Sequence, residues 1–91
     1  MKKQFICIED LQTTGFAVGC YGTYIQWRRK AMEWCDMDGH YRLYNDLKYY
    51  KIKNSGLIDF IGDYWEIDIV EYDKNKNYDE FFDKEYLCEL D

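Results

Sequence analysis

The stretch Leu57-Ile58-Asp59-Phe60-Ile61-Gly62-Asp63-Tyr64-Trp65-Glu66-Ile67-Asp68-Ile69-Val70-Glu71-Tyr72 decides the fold. Apolar and acidic residues alternate along much of it, and Gly62-Asp63 interrupts it near the middle. In a strand, successive side chains point to opposite faces. Glycine at the first position of a two-residue turn supplies the positive φ that a type II′ hairpin needs. The stretch is therefore expected to form a β-hairpin, with strands 57–61 and 64–72. In that register Asp59 opposes Glu66 and Ile58 opposes Ile67. One face collects Ile58, Phe60, Trp65, Ile67 and Ile69 and belongs to the core. The other carries Asp59, Glu66 and Asp68, ringed by Leu57, Ile61, Tyr64, Val70 and Tyr72.

Upstream, residues 40–53 allow two readings. Tyr41, Tyr44, Tyr49, Tyr50 and Ile52 favour strand, and Asn45-Asp46 tolerates a tight turn. A second hairpin, 41–44 and 47–53, is preferred over a helix capped at Asn45 and ended before Gly56. Before it, Tyr24, Trp27, Ala31, Trp34 and Cys35 recur at helical spacing behind Thr23, a good N-cap. That helix should end near Asp36, with Asp38-Gly39 as its stop. At the N-terminus, residues 3–8 and 15–21 read as paired strands around a polar turn at 9–14. Downstream, 73–77 is a polar loop. Asn77 with Glu80 resembles a capping box, and Tyr78, Phe82, Tyr86 and Leu90 recur at intervals of four, the pattern of a C-terminal helix.

The expected fold is one α+β domain over residues 1–91. It is a small antiparallel sheet of four to six strands with one internal helix and one C-terminal helix packed on it. A chain of this size buries roughly 60–65% of its unfolded surface. The aromatic content of 20% therefore matters, because a few large rings can close a small core.

No apolar run approaches the roughly 20 residues a membrane span requires. The apolar segment after Met1-Lys2-Lys3-Gln4 is too short for a signal-peptide core, so a cytoplasmic location is expected, in a bacterium or an infected host cell. Cys7, Cys20, Cys35 and Cys88 match no zinc or redox spacing and read as reduced, mostly buried thiols. Cys20, Cys35 and His40 make only a weak zinc set, so neither metal nor other cofactor is expected. With one His, no Gly-framed nucleophile and no phosphate loop, the chain does not read as an enzyme.

Charge divides the chain. Residues 1–53 hold nine Lys/Arg and six Asp/Glu; residues 54–91 hold three Lys and twelve Asp/Glu. The acidic half disfavours direct contact with nucleic acid and favours a basic protein surface. The function expected is that of a small acidic protein-binding module. It would be an inhibitor occupying a basic, nucleic-acid-receiving surface of a larger protein as a nucleic-acid mimic. Phage or mobile-element proteins that block bacterial defence nucleases, anti-CRISPR proteins among them, have this composition, an analogy rather than a motif match. The residues assigned to partner binding are Asp59, Glu66, Asp68, Tyr64, Tyr72, Asp79, Glu80 and Asp83. One alternative is nucleic-acid binding through Arg28, Arg29 and Lys30 with interleaved rings. The other is a homo-oligomeric structural protein, for which a dimer of this dipolar chain would serve.

Overall fold

The structure is a computed structural model that describes residues 2–10, 17–49 and 55–91. In chain order its elements are β1 (Gln4–Asp10), β2 (Cys20–Thr23), α1 (Tyr24–Asp38), α2 (Tyr41–Tyr49), α3 (Ser55–Trp65), β3 (Ile67–Glu71), a 3₁₀ turn (Lys84–Tyr86) and β4 (Cys88–Glu89). The sheet order is β3-β1-β2-β4. β1 runs antiparallel to both β2 and β3, whereas β4 joins β2 in parallel. The class is α+β, but the arrangement differs from the expected one: the sheet is mixed and the described residues include three α-helices.

The central correction is at 57–72. Residues 57–61 are not a strand, and Gly62 makes no hairpin turn; both lie inside α3. Leu57, Ile58, Ile61 and Trp65 are all buried, at spacings that fit one helical face. Asp59 and Asp63, four apart, share the exposed side. The period-2 reading failed because both periodicities accommodate a run this rich in Ile, and the helical one puts Leu57, Ile58, Ile61 and Trp65 together in the core. Gly62 is needed for a different reason. A Cβ there would lie 3.0 Å from the Ile67 carbonyl oxygen, where the chain folds back over the end of the helix. Glu66 makes that reversal with φ 55°, a left-handed conformation usually given to glycine at a helix C-terminus. Residues 67–71 do form a strand, paired with β1 rather than with 57–61.

The second hairpin is also replaced by a helix. In α2, Leu43 and Leu47 go inside at i,i+4, while Tyr41 and Tyr49 stay exposed. Lys48 lies 4.6 Å from the Tyr44 ring centroid one turn away, a contact that helical spacing creates. Tyr41 and Tyr49, two of the tyrosines that favoured strand, are surface residues, so their β propensity did not decide the element. Residues 50–54 lie outside the described residues.

The expected C-terminal helix does not form. Asn77 Oδ1 accepts from the Asp79 N–H at 2.9 Å, and Phe81 and Phe82 donate back to the Tyr78 carbonyl at 2.9 and 3.3 Å. That single turn ends at Asp83, which is extended. The Glu89 and Asp91 side chains would oppose the dipole of such a helix, and a lone helix of that length is marginal. The sheet offers better partners: Cys88 N–H donates to the Gly19 carbonyl at 2.9 Å and Leu90 N–H to the Tyr21 carbonyl at 2.8 Å. Leu90 is buried and Tyr86 is 54% exposed, so the i+4 pattern does not mark one face.

The first helix stands as expected, and the N-terminal strands do pair, but the second is Cys20–Thr23 rather than 15–21: residues 17–19 are a turn, with Ala17 at φ 66°, and the first strand runs on through Asp10. Gln4, Phe5 and Ile6 pair with Thr23, Gly22 and Tyr21; residues 11–16 of the connection lie outside the described residues. Thr23 caps α1 in a reciprocal box with Gln26, and Gly39 ends it in a left-handed conformation. Trp27, Ala31, Trp34 and Cys35 are buried and Tyr24 partly so. They form one core with Phe5 and Cys7 of β1 and the inner faces of α2 and α3. Trp27 Nε1–H donates to the Phe5 carbonyl at 2.8 Å, and Trp34 meets Trp65 edge-on at 5.2 Å. The helices thus cover one face of the sheet. Ile6, fully buried, faces the other way with Tyr21 and Val70 beside it in register. On that side Tyr21 stacks on Tyr72 at 4.4 Å, Tyr72 on Tyr78 at 5.7 Å, and Tyr78 on Phe82 at 6.1 Å.

Candidate functional site: an acidic corner where β1 meets β3

The β1–β3 ladder contains a register shift between Cys7 and Glu9. Cys7 pairs with Ile69, yet Glu9 pairs with Asp68, leaving Ile8 as the extra residue of a bulge. Residues directly opposite on neighbouring strands share a face, so two carboxylates stand side by side there. The end of α3 adds Asp63, and the left-handed turn adds Glu66. Together Glu9, Asp63, Glu66 and Asp68, with Gly62 and Ile67, line a depression of about 320 Å³. All four carboxylate residues are exposed. Like charges held this way destabilise a sheet unless a cation meets them. Among the described residues, no three His, Cys, Asp or Glu side chains are gathered closely enough to hold a metal ion.

The structure divides the partner-binding set drawn from the sequence. Glu66 and Asp68 come together, although on a helix-to-strand corner rather than on a strand face. Asp59 is exposed one turn back along α3, on the same side as Asp63. Tyr64, 44% exposed, turns to His40: its hydroxyl lies 3.1 Å from His40 Nδ1. Tyr72 belongs to the ring stack on the far face of the sheet, and desolvation there, with Tyr21, Tyr78 and Asp73 close by, raises its pKa. Asp79 lies in the C-terminal turns near Tyr72, while Glu80 and Asp83 are exposed along the same segment. Glu9 and Asp63 were absent from the set. Glu9 becomes visible only through the bulge, and Asp63 only once 55–65 is a helix.

The basic group is partly spent within the chain. Arg28 Nε donates to the Leu47 carbonyl at 3.3 Å, tying α1 to the end of α2. Lys30 pairs with Glu33 at 3.2 Å, and Arg29 is exposed. No disulfide joins the cysteines: Cys7 and Cys35 are buried, Cys20 is partly exposed, and Cys88 is exposed. Burial pushes the Cys7 thiol up to about 12, although its S–H donates to the Glu9 carbonyl at 3.3 Å. Burial and the neighbouring Cys88 raise Cys20 as well. These directions oppose thiolate chemistry at neutral pH. Among the described residues no helix is long and apolar enough to cross a membrane. Comparison with protein-family models, with curated proteins and with solved structures finds no match to this chain.

Proposed function

We propose that this chain is a small protein-binding module whose acidic corner receives basic side chains of a larger protein. The observation that carries the reading is the pairing of Glu9 with Asp68 just past the bulge, beside a depression that also gathers Asp63 and Glu66. Like charges opposite each other weaken a sheet, and a cation from outside would offset that cost. The four acids are spread around a depression rather than converged on a point. That layout fits a Lys or Arg side chain better than a metal ion. Asp59 extends the negative field along α3. A surface that normally receives nucleic acid is the preferred partner, because it supplies clustered Lys and Arg. Inhibition by occupying such a surface is the finer form of the same proposal. The nucleic-acid-binding alternative is weaker, since Arg28 and Lys30 are engaged within the chain.

The test is affinity capture from bacterial lysate, comparing the wild type with a variant carrying Glu9→Gln, Asp63→Asn, Glu66→Gln and Asp68→Asn. The expected result is a partner held at low salt, released at high salt, displaced by added DNA, and lost with the variant. Capture that survives all four substitutions removes the acidic corner as the contact surface.

A further inference from the structure

The acidic half of the chain has three cations, and the fold brings all of them to one place. Residues 54–91 contain Lys74, Lys76 and Lys84 against twelve Asp/Glu. All three lysines line a single cavity of about 400 Å³ on the side of the sheet away from the helices. Asp79 is the one carboxylate residue in its described lining. Three lysines along one cavity make its surroundings positive, which favours an anionic ligand there.

The walls are built from rings. Tyr78 is buried, and its hydroxyl accepts the Asp73 N–H at 2.9 Å, which fixes the ring. Phe82 stacks on it 10° from parallel, and Tyr72 at 26°. Lys76 Nζ stands 5.5 Å from the Tyr78 ring centroid and 5.3 Å from that of Phe81, so at least one ammonium is positioned over the rings. The loop holds its shape through its own bonds: Asn75 N–H to Asp73 Oδ1 at 2.9 Å and Lys76 N–H to the Asp73 carbonyl at 3.0 Å. Tyr72 and Tyr78 are covered by their ring neighbours, while Phe82 stays partly exposed beside the lysines, and an aromatic ring beside cations suits a ligand that is both planar and anionic. The volume lies within the roughly 300–1,000 Å³ of small-molecule sites.

We infer that this cavity binds a mononucleotide, with the phosphate at Lys74, Lys76 and Lys84 and the base against Phe82, the ring of the lining that the stack on Tyr78 leaves partly exposed. A free nucleotide is favoured over a strand because Asp73, Glu80, Asp83 and Glu85 flank the cavity in sequence and would repel a continuing phosphate backbone.

The experiment is an amide-resolved NMR titration of the full chain with AMP, and in parallel with adenosine, inorganic phosphate and a trinucleotide. AMP is expected to give saturable shifts over residues 72–87, with adenosine and phosphate each binding at least about tenfold more weakly. Lys76→Gln and the triple variant Lys74→Gln, Lys76→Gln, Lys84→Gln should lower AMP affinity, the latter by at least about tenfold. The wild-type comparison of AMP with adenosine stands even if the triple variant does not fold. Absence of saturable shifts overturns the inference. So does AMP affinity no greater than that of adenosine, or unchanged in Lys76→Gln. Tighter binding of the trinucleotide than of AMP overturns it in favour of a strand.

Discussion

Cys7 shows what burial does to a single titratable group. It is fully buried between the sheet and the helices, and its thiol is held from an ordinary 9.0 up to about 12. The unfolded chain releases this proton near pH 9, whereas the folded chain keeps it. Between those values the folded state binds more protons, so stability falls as pH rises; below pH 9 the contribution is fully present. The slope is about 1.4 kcal/mol per pH unit in that window. Cys20 and Tyr72 are shifted in the same direction and add to the fall. Urea unfolding of wild type and Cys7→Ala, under reductant, at pH 8 and pH 10.5 checks this. The loss of stability between the two pH values should be smaller in the variant by about 1–2 kcal/mol. Equal losses would show that the thiol does not stay protonated in the fold.

At the scale of elements, Gln26 links the start of α1 to the end of the chain. Its Oε1 accepts the Thr23 N–H at 2.8 Å, and its Nε2 donates to the Leu90 carbonyl at 2.6 Å. Gln26→Ala removes half of the capping box and the tether of the last residues together. A loss of about 1–2 kcal/mol in chemical denaturation is expected, with faster amide exchange at Cys88 and Leu90 than elsewhere in the sheet. Uniform exchange would show that β4 holds without the tether. The Thr23 cap, the helical stripe of Trp27, Ala31 and Trp34, and the Gly39 stop were all legible in the sequence, because each signal is local. The first strand was legible for the same reason, whereas its partner lies at Cys20–Thr23, later than the 15–21 that the apolar run suggested. The rest turned on competition between local patterns and distant partners. Residues 57–65 satisfy an alternating pattern and a helical one. Only the core built by Trp34, Leu47 and Phe5 favours the second. Residues 78–90 carry a helical spacing, but the Gly19 and Tyr21 carbonyls lie on β2 and the turn before it, far away in sequence. Of the candidate acidic site, Glu66 and Asp68 were legible, though for a geometric reason that did not hold. Glu9 was not, since a bulge leaves no mark in alternation.

At the scale of the molecule, charge and architecture are arranged in two layers. The helices close one face of the sheet with tryptophans, and the C-terminal turns close the other with tyrosines and Phe82. The lysines of the acidic half gather on the second side, which leaves Glu9, Asp63, Glu66 and Asp68 at their corner with no cation in the described lining. The proposed binding site requires that this corner be held against its own repulsion. The most direct measurement is the unfolding free energy of Glu9→Gln/Asp68→Asn against wild type, taken at low and high salt. The variant should be more stable at low salt by a few tenths to about 1 kcal/mol, with the gap closing as salt rises. A variant less stable than wild type at low salt would mean that the two carboxylates support the fold, and would contradict a site kept for an outside cation.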